Sequence, residues 1–295
     1  LKKIQQEHDF KIIYEVDDVV FREEIPDYNK FKFAFDTDEV RESVVSIMDL
    51  CDEITLTCDF MRKLFQSKLT NQNVTVIPNF VPYNWMGYLF NRKRVQTAFE
   101  KHKGKPRILY TGSGAHYDVA NKTGGKDDMS AVNHIIRKTA DKYKWVFVGA
   151  YPPPLQDLVK SGKLEFYPWR SLLEYPQFIA NLDPQLMVAP LTQNNFNNSK
   201  SDIKFIEACT LGIPCLCQDM HTYSNAPDDL KFNTPEEFEE KIDWILNWKN
   251  RKRYFQNISM LREIGVKRFL ENPENIGSHM EALTTPYGSP ERKYL

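Results

Sequence analysis

The sequence predicts an α/β protein of two domains, each built on a parallel sheet, facing one another across a cleft. Short apolar runs alternate with amphipathic helical patterns along most of the chain, as parallel strands joined by crossover helices require. A basic stretch at 91–107, with Gly104 and Pro106 as breakers, divides that alternation into two series and reads as a domain linker. The segment 197–219, NNSKSDIKFIEACTLGIPCLCQD, then sets a polar loop, a short helix, a glycine stop and an apolar strand in succession. That order is found at the ligand edge of an α/β sheet.

Length and composition fit this reading. The 295 residues allow two domains of ordinary size. The 39 Lys and Arg nearly balance the 40 Asp and Glu, so no overall field points to nucleic acid or a membrane surface. No apolar run reaches the roughly 18 residues a transmembrane helix needs, and the start carries no signal-peptide pattern. The five cysteines, Cys51, Cys58, Cys209, Cys215 and Cys217, are odd in number and three have apolar neighbours, which suits a reduced cytoplasmic protein with buried thiols. Cys215-x-Cys217 is not a zinc spacing, and no metal site is expected.

In the first domain, assigned to 1–98, residues 1–10 read as the tail of a helix and 11–16 as a strand ending in Asp17 and Asp18. Two carboxylates at that end lie on the sheet edge where α/β proteins bind ligands; neighbours on an extended chain point opposite ways, so at most one faces the cleft. Helix capping or a solvated turn is the alternative. An amphipathic helix at 38–49, a strand at 51–57, a helix from 59 to 65 and a strand at 74–77 follow, the last leading into the Pro78-Asn79 turn.

The second domain, 99–270, opens with a strand at 108–110 and the small-residue loop Gly112, Ser113, Gly114, which lets a backbone approach a diphosphate closely. Tyr117 stands where a dinucleotide fingerprint has its third glycine. His116 is either a ligand-facing group or an ordinary loop residue. Residues 122–128 read as a mobile excursion whose Lys126 closes over phosphate or is simply solvated. A helix at 130–142 and strands at 145–148 and 164–166 precede Trp169, a residue type whose commoner role is in a core. A helix at 173–182 and a strand at 185–191 deliver the chain to Asn195, Asn197 and Asn198, whose amides face a sugar or their own backbone. After the central segment come helices at 235–248 and 251–267. The last part, 271–295, is expected to return to the first domain.

The oddity of the central segment is electrostatic. Lys200 and Lys204 sit at or just before a helix start, the end that carries roughly half a positive charge and prefers acids. A diphosphate there would take free N–H groups and both ammonium groups together; solvated lysines are the alternative. Glu207 shares a face with them, as an ion-pair partner or as an acceptor for a ribose diol. Gly212 and Pro214 stop the helix.

The segment KSDIKFIEACTLGIPCL resembles the donor-binding segment of GT-B glycosyltransferases, in the retaining group related to glycogen and sucrose synthases. The resemblance implies two Rossmann-like domains, of which the first is expected to be incomplete because the chain opens on a helix, not on a strand and Gly-rich turn. It implies that Glu207 holds the donor ribose. The usual partner acid eight residues earlier is absent, with Ser199 in its place. A branch of the group carries Lys-Ser-x-x-Lys instead, matched by Lys200, Ser201 and Lys204. By the same resemblance Gly112, Ser113, Gly114, His116, Trp169 and Asn197 are donor-site candidates, and Asp17 and Asp18 are acceptor-side catalytic candidates beside Lys204. The implied activity is transfer of a hexosyl or pentosyl group from a UDP- or GDP-linked donor, with retention, with no metal and with no other cofactor. A glycan is the first expectation for the acceptor. A phage enzyme modifying hydroxymethylated bases in DNA is an alternative, compatible with the basic clusters Arg92-Lys93-Arg94 and 249–253. A non-catalytic nucleotide-sugar binding module is another, supported by Ser199.

Overall fold

The first series of alternating patterns folds into a three-stranded parallel sheet with helices between its strands. The computed structural model describes residues 2–8, 10–82, 85, 92–269 and 272–284. In this domain they form α1 (Lys2–Glu7), β1 (Ile13–Glu15), α2 (Asp38–Leu50), β2 (Glu53–Leu56), α3 (Asp59–Lys68) and β3 (Val74–Val76), with strand order β1-β2-β3. Helix α2 starts where it does because Thr37 accepts from Val40 N at 3.3 Å and Asp38 and Glu39 occupy the positive end of its dipole. The core gathers Ile54 and Leu56 of β2 with Met48, Met61 and Phe65. Full burial of each contributes roughly 1.5–3 kcal/mol.

The second series forms α4 (Arg92–Lys101), β4 (Arg107–Gly112), α5 (Asn133–Thr139), β5 (Lys144–Gly149), α6 (Gln156–Lys160), β6 (Leu164–Tyr167), α7 (Tyr175–Asn181), β7 (Leu186–Ala189), α8 (Asn195–Asn198), α9 (Ile203–Leu211), β8 (Cys215–Gln218), β9 (Lys231–Phe232), α10 (Pro235–Leu246) and α11 (Arg251–Lys267). The six strands are parallel in the order β6-β5-β4-β7-β8-β9. Strand order therefore reverses between β4 and β7, where Ile108 pairs with Leu186, and the carboxyl ends of those two strands are where open α/β sheets place a ligand crevice. Gly149 ends β5 at φ 98°, and a Cβ there would lie 2.5 Å from Gly112 O, so both requirements exclude a side chain.

Two expectations are corrected. The basic stretch at 91–107 is not an extended linker: α4 buries Val95, Ala98 and Phe99 in the second domain, and Arg94 donates to Ala180 O and Leu211 O. A guanidinium can serve as a bridge between main-chain carbonyls, which a composition count cannot distinguish from a solvated charge. Asn91 and the Arg92 side chain lie outside the described residues. The loop at 122–128 is also no loose excursion. It winds around the Asp118 carboxylate, which accepts from Lys122 N, Thr123 N, Thr123 Oγ1 and Gly125 N at 2.7–3.1 Å.

The two domains are locked together near the crevice. Phe196 of α8 is buried in the first domain's core, Cys58 Sγ donates to Ser199 O at 3.3 Å, and Val81 bridges Phe269. Arg268 forks both nitrogens onto Asp202 at 2.9 Å and donates to Asn79 O at 2.6 Å. A final helix, α12 (Pro273–Thr284), reaches the first domain, with the His279 ring 5.4 Å from Phe80; residues 285–295 lie outside the described part. Among the described residues no helix is long and apolar enough to cross a membrane. Removing one partner from the buried Arg268–Asp202 pair leaves an uncompensated charge. Arg268→Met should therefore destabilise by about 3 kcal/mol, with most of the loss recovered in the Arg268→Met/Asp202→Leu double variant, as measured by thermal unfolding.

Candidate functional site

The crevice at the strand-order reversal is lined from three directions. The loop after β4 brings Gly112, Ser113, Gly114 and His116, the start of α9 brings Lys200 and Lys204, and the first domain brings Asp18. Lys200 precedes α9, so the helical spacing expected for it does not apply. Its proximity to Lys204 comes instead from His116, whose Nδ1 is 3.5 Å from Lys200 Nζ and whose Nε2 is 3.3 Å from Lys204 Nζ. Lys204 Nζ also stands over the Tyr110 ring at 5.2 Å and Lys200 Nζ over Phe196 at 4.9 Å. No side chain caps α9, because its N-cap, Asp202, is taken by Arg268.

Asp128, 2% exposed, is the hub beneath these groups. It accepts from Tyr28 Oη at 2.7 Å, Asn197 Nδ2 at 2.6 Å and Thr192 N at 3.0 Å on one oxygen, while His116 Nδ1 lies 2.7 Å from the other. Lys200 Nζ is 3.7 Å from the same carboxylate. Burial opposes ionisation of Asp128, but Lys200 and the converging donors outweigh it and hold the carboxyl well below its usual range. An ionised carboxylate only accepts, so His116 carries its proton on Nδ1 and presents a lone pair on Nε2 to Lys204. Burial and the two lysines hold the imidazole neutral, its pKa pushed down to about 3.

Desolvation, then the neighbouring Lys200, push Lys204 down to about 8. Desolvation lifts Glu207 to about 7, against the pull of Tyr175, whose hydroxyl donates to it at 3.2 Å, and of Lys204. Lys200 is lowered by burial, against the attraction of Asp128 and Asp18. Asp18 is in turn raised by desolvation in spite of Lys200.

The other candidates are placed as follows. Asp17 and Asp18 lie in a bend after β1 and not on an extended strand; Asp17 lines a cavity of about 430 Å³ with Glu15, Thr55, Asn79 and His279, while Asp18 is the one whose charge acts on Lys200. Ser113 Oγ accepts from Ala115 N at 3.1 Å and so shapes its own turn. Ser201 Oγ accepts from Asn79 Nδ2 at 2.8 Å across the domains. The Asn197 amide nitrogen is committed to Tyr28, Asp128 and Thr192, which leaves no N–H for a sugar. Trp169, 61% exposed, lies over Gly149 at the end of β5, where its face is open. Lys126 is exposed and its backbone is tied to Thr123.

Sequence reasoning missed Asp128, Tyr28, Tyr175 and Lys30, whose ammonium lies 3.9 Å from where a Cβ on Gly114 would sit. The acidic pair Asp127-Asp128 beside the apolar Met129 was a signal for a buried carboxylate; nothing in its spacing singles out Tyr28. Among the described residues no group of three or more His, Cys, Asp or Glu side chains converges as a metal site would need.

The fold recurs in known structures. Anabaena Alr3699/HepE in complex with UDP-glucose matches with a TM-score of 0.61 at 13% identity, over 92% of this chain and 70% of that one. A glycosyltransferase from Rickettsia africae matches at 0.57 and 12% identity, over 96% and 80%. S. aureus TarM matches at 0.58 and 11% identity, over 92% of this chain and 50% of its own. The chain has the GT-B fold. No family model and no curated protein matches the sequence. At these identities the GT-B likeness concerns fold.

The two titrations bracket the site's working range. Below about 7 Glu207 gains a proton and loses its charge as an acceptor, and above about 8 Lys204 loses its positive charge. Affinity for a diphosphate probe such as UDP, measured by calorimetry, should peak between these values; Lys204→Met should remove the alkaline limb and, by taking away a cation that holds Glu207 down, move the acid limb to higher pH.

Proposed function

We propose that this chain is a nucleotide-sugar-dependent glycosyltransferase that binds its donor in the second domain and its acceptor against the first. The observation that carries the reading is the convergence of Lys200, Lys204 and Glu207 with His116 at the strand-order reversal, opposite Asp18 of the other domain. Two ammonium groups and an uncapped helix start match a diphosphate, and a half-buried carboxylate one turn further on matches a ribose diol. The UDP and UDP-glucose complexes of HepE favour a UDP-linked donor.

Catalysis in this reading is electrostatic. As the bond between the sugar's anomeric carbon and the diphosphate breaks, negative charge grows on the departing oxygens. Lys204 and Lys200 are already fixed where that charge appears. Asp18, facing Lys200, is the candidate to orient the acceptor hydroxyl, and Trp169 the candidate to stack on the base. Retention of configuration and independence from metal are part of the proposal, following the resemblance of the KSDIKFIEACTLGIP segment. Of the basic clusters compatible with a DNA acceptor, Arg94 is committed to main-chain carbonyls and Arg253 pairs with Asp229; a glycan is the acceptor we propose.

Lys204→Ala should lower turnover by about 10²–10³ while donor affinity changes far less, since the lysine acts mainly on charge that develops in the transition state. Unchanged turnover would remove that role. A thermal-shift panel of UDP- and GDP-sugars identifies the donor, because a bound ligand stabilises by mass action. Binding without transfer or hydrolysis from any donor would favour a non-catalytic module.

A further inference from the structure

We propose that Asp128 fixes His116 as a hydrogen-bond acceptor for Lys204 while Tyr28 clasps the same carboxylate across the domain boundary, so that docking of the first domain and the order of the cationic pocket rest on one buried network. The clasp rests on geometry, and its role in turnover rests on the glycosyltransferase reading.

Among the described residues, the hydrogen-bond donors to Asp128 come from four separate segments. His116 belongs to the loop after β4, Thr192 to the loop after β7, Asn197 to α8 and Tyr28 to the first domain. Of these donors, Tyr28 is the one that reaches Asp128 across the domain boundary. Its oxygen is held in turn by Asn197 Nδ2 at 3.0 Å, so the hydroxyl both donates and accepts within one buried network. The surrounding contacts bind the same parts: Phe196 sits in the first domain's core, and Asn195 Nδ2 donates to Glu24 at 2.9 Å. Undocking the first domain would take Tyr28 from a carboxylate with almost no access to water.

The imidazole converts this into a property of the pocket. With Asp128 ionised, Nδ1 bears the proton and Nε2 accepts from the Lys204 ammonium at 3.3 Å. In the opposite tautomer an N–H would face the ammonium, and Lys204 would have to turn away. Asp128 is therefore a positioning residue, acting on Lys204 through His116. It is also an anion beneath a site for anions, so its neutralisation should not weaken binding of a diphosphate even where it disorders the lysine.

The test is ¹⁵N NMR of histidine-labelled protein, with His116 assigned by His116→Gln, together with calorimetry on UDP, hydrogen exchange and steady-state kinetics. The wild type should show His116 neutral and protonated on Nδ1. In Asp128→Asn an amide can meet Nδ1 as a donor. The tautomer should invert and turnover should drop by about ten-fold or more, while UDP binds as tightly as before or more tightly. Tyr28→Phe leaves Asp128 on His116. It should keep the wild-type tautomer, speed exchange in residues 192–199 and lower turnover by about ten-fold, the scale of a lost hydrogen bond to a charged group.

A wild-type His116 protonated on Nε2, an Asp128→Asn tautomer identical to wild type, or a Tyr28→Phe protein with unchanged exchange would overturn the clasp. Should Asp128→Asn fail to fold, the wild-type tautomer and Tyr28→Phe still decide. If no nucleotide sugar supports turnover in the wild type, the functional reading fails, while the NMR and exchange arms still judge the clasp.

Discussion

Asp128 carries its charge where water barely reaches, and the rest of the crevice is arranged around that fact. An isolated carboxylate in such a place would cost several kcal/mol and would take up a proton. It stays ionised because donors from four segments converge on it and Lys200 stands beside it. Each of those segments is thereby held to the others, including the loops after β4 and β7 that flank the strand-order reversal. The domain interface and the floor of the crevice are one network.

The pocket built on this floor is electrostatically unfinished. Lys200 is close enough to add to the depression of Lys204 by burial, and His116, the group between them, is neutral. The start of α9 adds a further positive contribution with no capping side chain to offset it. Local rules of helix design are broken here and kept at α2 and α10. Helix α10 opens with Thr234 as its cap and Glu236 and Glu237 in its first turn. Helix α11 also opens without a cap, on Arg251, Lys252 and Arg253, so it is the position of the α9 start beside the loop after β4, and not the departure itself, that fits binding.

Much of the architecture was legible in the linear sequence because alternation of apolar runs and amphipathic patterns reports local periodicity. Strands at 13–15, 53–56, 74–76 and 107–112 fell where apolar runs end in small or polar residues. Lys200, Lys204 and Glu207 were legible because they lie within one short segment whose helix start violates the dipole preference. The basic stretch at 91–107 misled because lysine and arginine counts cannot show that Arg94 turns inward onto carbonyl oxygens. The loop at 122–128 misled because glycines suggest freedom, whereas the Asp118 carboxylate orders it through hydrogen bonds that leave no trace in residue type.

Sequence by itself determined the α/β class, much of the order of elements outside 91–107 and the cationic helix start, since all three are set by residues within a few positions of one another. Only tertiary structure decided that Tyr28 and Asp128, a hundred residues apart, would share a proton donor and acceptor. It likewise decided that Asp18 and not Asp17 would face Lys200, and that the amide of Asn197 would be spent inside the protein. The physical reason is that desolvation and hydrogen-bond geometry depend on what surrounds a group in three dimensions. The charge state and direction of a buried side chain follow from that surrounding.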